Sequence, residues 1–219
     1  MSKTEGNFID LERIRKVCSS YSVDAFRFYL LRAAPFGSDL DWSDADFNKS
    51  FNELANVVGN CLNRTIKMIG RYRQGVVPAI SGDMEDIDRA LLEQSSKLRA
   101  GIDSAYQRCA LQESVLLPIE LARATNGYID ATAPFSLAKD PTKAGRLDTV
   151  LNRSAQAIKN ALVALLPVLP DKAKAGLDQL QVPVQGKTLK DLLDTELPAG
   201  HKLGEGQPLF PKVENAPGR

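Results

Sequence analysis

The chain has 219 residues, 43% of them hydrophobic and 25% charged, with a formal net charge of +1. That length and balance correspond to about one and a half ordinary globular domains and exclude a disordered chain. No run approaches the roughly 20 apolar residues of a membrane span, and the opening residues carry no apolar stretch of signal-peptide type.

Helical periodicity dominates the chain and strand alternation is nearly absent. Asp10 is placed to cap a short helix bearing Leu11, Ile14, Val17 and Cys18. Ser22 is placed to cap a second, with Val23, Phe26, Leu30 and Leu31 on one face. Pro35, Phe36 and Gly37 break it. Ser43 followed by Asp46 resembles a capping box and opens a long helix to about Tyr72, closed by Gly75 and Pro78. A second long pattern carries Met84, Ile87, Leu91, Leu98, Ile102 and Ala105. A third covers Leu111 to Ile129 and contains Pro118, a residue that destabilises a helix interior by about 3 kcal/mol. The segment Ala133-Pro134-Phe135 reads as a loop. A fourth helix is expected from about Gly145 to Leu166, with Leu147, Val150, Leu151, Ile158, Leu162 and Leu165 as its stripe. Pro167 stops it, and Pro170 suits the first turn of a short helix to about Leu180. A helical turn near Leu189 to Leu193 follows. Beyond it, Leu197, Leu203, Leu209, Phe210 and Val213 anchor a Pro- and Gly-rich tail as an ordered wrap. The expected fold class is all-α: an antiparallel helical bundle with a small N-terminal helical element and an irregular C-terminal wrap.

Cys18, Cys61 and Cys109 are widely spaced and form no C-x-x-C pair, which argues against a zinc knuckle or disulfide framework and fits a reducing cytoplasm. A single histidine, His201, excludes His-rich metal sites, and no metal site is expected. Neither G-x-x-x-x-G-K-[ST] nor G-x-G-x-x-G occurs. The near-neutral charge conceals an asymmetry. Leu54 to Gly82 contains no acidic residue but holds Arg64, Lys67, Arg71 and Arg73, and Asp83, Glu85, Asp86, Asp88 and Glu93 then reverse the sign. Such a run can be an anion-binding surface or simply a solvated helix face.

On the helix after Ser43, at about 100° per residue, Phe51, Leu54, Val58, Leu62 and Ile69 fall on one side, and Asn52, Asn56, Asn60, Asn63, Arg64, Lys67 and Arg71 on the other. Asparagine is a mediocre helix former, so a face needing only solubility would use Glu, Lys or Gln. Its paired donor and acceptor suit the edge of an unpaired base, and arginine adds a planar fork and a stacking surface. Asn56, Asn60 and Arg64, at i, i+4 and i+8, share one ridge. Base reading and hydrogen bonding between helices are equally consistent with that pattern.

The opening Met1-Ser2-Lys3-Thr4-Glu5-Gly6-Asn7 resembles the end of the K-M-S-K-S loop of class I aminoacyl-tRNA synthetases. YSVDAFRFYLLRAAPFGSDLDWS from Tyr21, LANVVGNCLNR from Leu54, NGYIDATAPFSLAK and LPAGHKLGEGQPLFPKVE resemble, in order, segments of the methionyl-tRNA synthetase family. The likeness runs from end to end, but no H-I-G-H motif is present. It implies the C-terminal half of such an enzyme, with residues 1–42 as the loop remnant and stem-contact helices and 43–219 as the anticodon-binding bundle with its tail. It also implies a partner, the anticodon stem-loop of methionine tRNA, with no role for DNA or membrane. No cofactor is implied for this part, whereas the complete enzyme uses ATP with Mg. Lys3 matches the second signature lysine, which stabilises charge on the ATP phosphates only in a complete enzyme, so this chain is expected to be inactive alone. Asn56, Asn60 and Arg64 match the positions that read the CAU anticodon, with Lys67 and Arg71 as a supporting basic face. Phe135 stands where the family has a tryptophan that stacks on an anticodon base. It keeps an aromatic face but loses the indole N–H, and a loop-to-core anchor is the other reading of it. His201 is expected to be structural. The rival functions are a non-catalytic helical scaffold and the corresponding part of another class I synthetase.

Overall fold

The computed structural model describes residues 9–211 and 213. Among them the chain is helical, and the one ladder element is an isolated antiparallel bridge between Val76 and Lys202. Three sequence-read caps form as expected. Asp10 accepts from the Arg13 N–H at 2.7 Å and opens α1 (Leu11–Ser20), and Ser22 accepts from Ala25 at 3.1 Å and opens α2 (Val23–Ala33). Ser43 accepts from Asp46 at 3.2 Å and opens α3 (Asp44–Glu53). The long helix then continues through a π-helical turn (Leu54–Gly59) into α4 (Asn60–Arg73), and ends where Gln74 and Gly75 turn left-handed at φ +54° and +79°. After it come α5 (Asp86–Gln107), α6 (Leu111–Thr132), α7 (Pro134–Leu137), a 3₁₀ turn (Pro141–Lys143), α8 (Ala144–Leu165), α9 (Pro170–Gln179) and α10 (Leu189–Asp194).

The bundle is organised around α8. Its expected stripe is buried, and so are Ala155, Ala157, Ala161, Val163 and Ala164, so it is covered nearly all round. Small alanines let neighbouring backbones approach, and α4, α5, α6, α9 and α10 all pack on it. The short connection between α5 and α6 brings these two helices alongside each other, as short loops do between antiparallel neighbours. α6 runs through a buried Pro118. An aromatic cluster seats the N-terminal helices on α3: Tyr21 meets Phe47 edge-on at 4.9 Å, Tyr29 meets Phe47 at 5.6 Å, and Trp42 stacks on Phe47 at 5.4 Å.

Two expectations need correction. The buried face of α2 is Asp24, Ala25, Phe28 and Tyr29, while Val23 and Leu30 face outward. On that face Phe28 and Tyr29 fill the core, with Tyr29 edge-on to Trp42 and Phe47, and the Asp24 carboxylate accepts from the Lys172 N–H at 2.7 Å in the first turn of α9. Second, the segment after Ala133 is a helical turn, because Pro134 supplies its first position.

The tail wraps as expected. Leu197, Leu203, Leu209 and Phe210 are buried, and Val77 exchanges backbone bonds with His201 and Gly200 at 2.8 and 2.9 Å. His201 Nε2 lies 2.7 Å from the Leu180 carbonyl, a structural contact. Gln156 on α8 bonds both the N–H and the carbonyl of Leu197, at 3.0 and 2.7 Å. Among the described residues no helix is long and apolar enough to cross a membrane.

Candidate nucleic-acid interface

The helix from Ser43 to Arg73 divides into two faces. Phe51, Leu54, Val58, Leu62 and Ile69 are all buried, as their spacing requires. Asn52, Asn56, Asn60, Lys67 and Arg71 are exposed, and Asn63 and Arg64 are half-buried. The side chains of Asn56 and Asn60 make no hydrogen bond among the described residues, so their donors and acceptors remain open to solvent. Beneath them Cys61 is wholly enclosed, and burial pushes its thiol up to about 12, which keeps it neutral and unreactive.

Arg64 differs from the asparagines. One guanidinium nitrogen donates to Asp130 at 2.5 Å and the other to Asn126 Oδ1 at 3.4 Å, both on α6. The reading of this face as inter-helix hydrogen bonding therefore applies to Arg64 and not to Asn56 or Asn60. Arg64 remains about a third exposed beside a carboxylate that is itself two-thirds exposed, so the fork is oriented without being sealed off. Arg73 belongs to the same charge run but not to this face. It is tied to Asp148 and to the carbonyls of Tyr72 and Ala144. Lys67 and Arg71 make no ion pair among the described residues, and Arg71 lies 5.7 Å over the Tyr72 ring.

Phe135 lies five residues beyond Asp130. Ala133 caps α6 in the left-handed region at φ +46°, a conformation that costs a non-glycine residue about 1–2 kcal/mol. The chain thereby turns sharply into α7, with Pro134 buried and Phe135 60% exposed. That exposure removes the core-anchor reading. The partners of Arg64, Asn126 and Asp130, were not singled out from sequence. The signal was a polar pair at i, i+4 in NGYID, within a helix otherwise rich in buried residues. Lys3 lies outside the described residues. Among those described, no three His, Cys, Asp or Glu side chains gather as a metal would require.

Residues 1–66 match the family model described as "tRNA synthetases class I (M)". Across 98% of its length the chain is 34% identical to the methionine–tRNA ligase of Caldanaerobacter subterraneus subsp. tengcongensis and 36% identical to that of Deinococcus radiodurans. It spans about a third of the length of these relatives, 33% and 31% respectively. Its fold superposes on Mycobacterium tuberculosis methionyl-tRNA synthetase in complex with methionyl-adenylate with a TM-score of 0.88 and 27% identity, covering 97% of this chain and 41% of that one. Sequence and fold together place the chain in the methionyl-tRNA synthetase family, as a part about a third as long as its relatives.

Proposed function

We propose that this chain is the tRNA-binding part of a methionine–tRNA ligase, and that α4 and α7 read the CAU anticodon of methionine tRNA. The observation that carries the reading is the outward polar row of the π-helical turn and α4: Asn56 and Asn60 expose unengaged amides on a helix whose other face is fully buried. Single-stranded anticodon bases present Watson–Crick edges that an amide can match with one donor and one acceptor. Arg64 supplies a fork oriented by α6, Phe135 an exposed ring on which a base can stack, and Lys67 and Arg71 cations for the phosphates. In the same reading α1 and α2 are the stem-contact helices and residues from 43 onward the anticodon-binding bundle. ATP with Mg serves the complete enzyme, in the cytoplasm, and none of the described residues is assigned to it.

The test is equilibrium binding of the CAU anticodon stem-loop and of stem-loops with altered anticodons, across a salt series. Tight, salt-dependent binding that weakens when the first anticodon base is changed supports the reading. Equal binding of all stem-loops, or none, favours a helical scaffold.

A further inference from the structure

The helix bearing the asparagines is not α-helical throughout. At its π-helical turn, Leu54–Gly59, the Asn60 N–H reaches back five residues to the Ala55 carbonyl. Such a turn accommodates one residue more than an α-helical turn and recurs at functional sites. Its geometric effect here can be stated. In an unbroken α-helix the side chains of Asn52, Asn56, Asn60 and Arg64 would drift around the axis by about 120°, at about 100° per residue. Absorbing one residue in the π-helical turn reduces that drift to about 20°. The result is a straight row roughly 16 Å long, at about 1.5 Å per residue with one residue absorbed, which begins one turn earlier than the three matched positions.

Two contacts hold the turn. The Asn126 side-chain amide donates to the Val57 carbonyl at 3.0 Å, within the π-helical stretch, while its oxygen accepts from Arg64. On the other side, Phe210 of the C-terminal wrap lies so close that a Cβ on Gly59 would sit 3.3 Å from its ring, and it also meets Phe51 edge-on at 6.2 Å. One amide thus links the backbone of the turn to the arginine at the end of the row.

We infer that the π-helical turn aligns Asn52 with Asn56, Asn60 and Arg64 as one RNA-reading row, with Asn52 as an additional contact and Asn126 as the positioning residue that locks the alignment. This rests on the proposed anticodon reading. Asn126→Asp keeps an acceptor for Arg64, now charged, and removes the N–H that holds Val57, so it breaks the bond to the turn while Arg64 keeps its partner. Asn52→Ala alters an exposed side chain and leaves the fold intact.

The experiment measures affinities of the full chain and both variants for two stem-loops, differing as C or U at the first anticodon position, beside their melting temperatures. Asn126→Asp is expected to reduce the preference for C at least fivefold. Mere destabilisation would lower both affinities together and leave their ratio unchanged. Asn52→Ala is expected to weaken binding at least threefold at an unchanged melting temperature. Retention of the full preference by Asn126→Asp overturns its positioning role, and unchanged affinity of Asn52→Ala overturns the extended row. Either result leaves the anticodon reading intact, whereas absence of any preference in the unaltered chain overturns that reading and this inference together.

Discussion

The Arg64 guanidinium is held by Asp130 at 2.5 Å across the gap between α4 and α6, while Lys67 and Arg71, one and two turns further along α4, have no acidic partner among the described residues. Three cations on one helix therefore differ in orientation rather than in charge. A fixed fork can select a base edge, and free cations can only attract phosphate.

That difference predicts unequal losses. Arg64→Ala should weaken CAU stem-loop binding and also reduce discrimination at the first anticodon position by about 1–3 kcal/mol, the scale of a good bidentate contact. Lys67→Ala and Arg71→Ala should weaken all stem-loops alike and lower the salt slope by about one each. Arg64→Lys, which keeps the charge and loses the fork, should not restore discrimination. Titrations of C- and U-bearing stem-loops at several salt concentrations check this; equal behaviour of the three alanine variants would leave only a charged face.

A second prediction concerns the first turn of α5. Asp88 is wholly buried, and it accepts from Arg146 at 2.6 Å, from the Tyr128 hydroxyl and from the Glu85 N–H at 2.8 Å. Burial opposes its ionisation, but these three donors outweigh it and hold the carboxyl below its ordinary value. The contribution of such a carboxylate is present above the ordinary carboxylate range and is lost as pH falls through the lowered value. Asp88→Ala should destabilise by about 3–5 kcal/mol at neutral pH, because Arg146 and Tyr128 lose their buried partner. It should also flatten the acid limb of the stability curve. The exposed pair of Lys174 and Asp178 at 2.6 Å offers the contrast, since Asp178→Ala should change stability by less than about 1 kcal/mol. Urea unfolding at neutral and acid pH measures both.

How much of this was legible beforehand follows from where each determinant lies. Caps such as Asp10, Ser22 and Ser43 act within one turn, so the residue types reveal them. The rotation of α2 was not legible, because the partners of its buried face, Trp42 and Phe47 for Tyr29 and the Lys172 N–H for Asp24, lie elsewhere along the chain, and the outward Val23 and Leu30 mimic an ordinary core stripe. The π-helical turn was hidden for a related reason. No proline or glycine marks its start, and the Asn126 amide that bonds Val57 comes from another helix. The polar row itself was readable, because exposure of Asn56 and Asn60 depends only on the burial of Leu54, Val58 and Leu62 opposite them.

The third prediction concerns Lys159, which is 1% exposed on α8. Its ammonium donates to the carbonyls of Leu192 and Thr195 and to Asn160 Oδ1, tying the end of α10 to the bundle. Burial pulls its pKa down to about 8, against a smaller opposing pull from Glu196 and Asp194. A lysine whose folded value lies below its unfolded value binds fewer protons when folded, so its contribution to stability rises with pH from about 8 towards the ordinary lysine range and is flat below. Lys159→Met should abolish that alkaline rise. It should also loosen α10, because the buried Leu192 carbonyl loses a donor at about 1–3 kcal/mol and the part-buried Thr195 carbonyl loses one as well. Unfolding curves across this pH range, with amide exchange in α10, test both effects; an unchanged alkaline slope in the variant would refute the assignment.

Phe135 carries the last prediction. Its ring is 60% exposed on the turn that follows the left-handed Ala133, while Pro134 beside it is buried. A core aromatic replaced by alanine typically costs 3–5 kcal/mol, and enlarging one overpacks its surroundings. Neither penalty applies to a ring already outside, so Phe135→Ala and Phe135→Trp should both melt within a few degrees of the unaltered chain. Their RNA affinities should diverge. Alanine removes the stacking surface and should weaken stem-loop binding by about 1–3 kcal/mol. Tryptophan offers a larger π-face and an N–H donor and should bind as tightly as phenylalanine or more so. Because stacking tolerates any base, the alanine loss should be similar for stem-loops with C and U at the first position, unlike that of Arg64→Ala. Thermal melts and affinities measured side by side decide the matter. An alanine variant that binds normally would show that this ring, although exposed, does not meet the RNA.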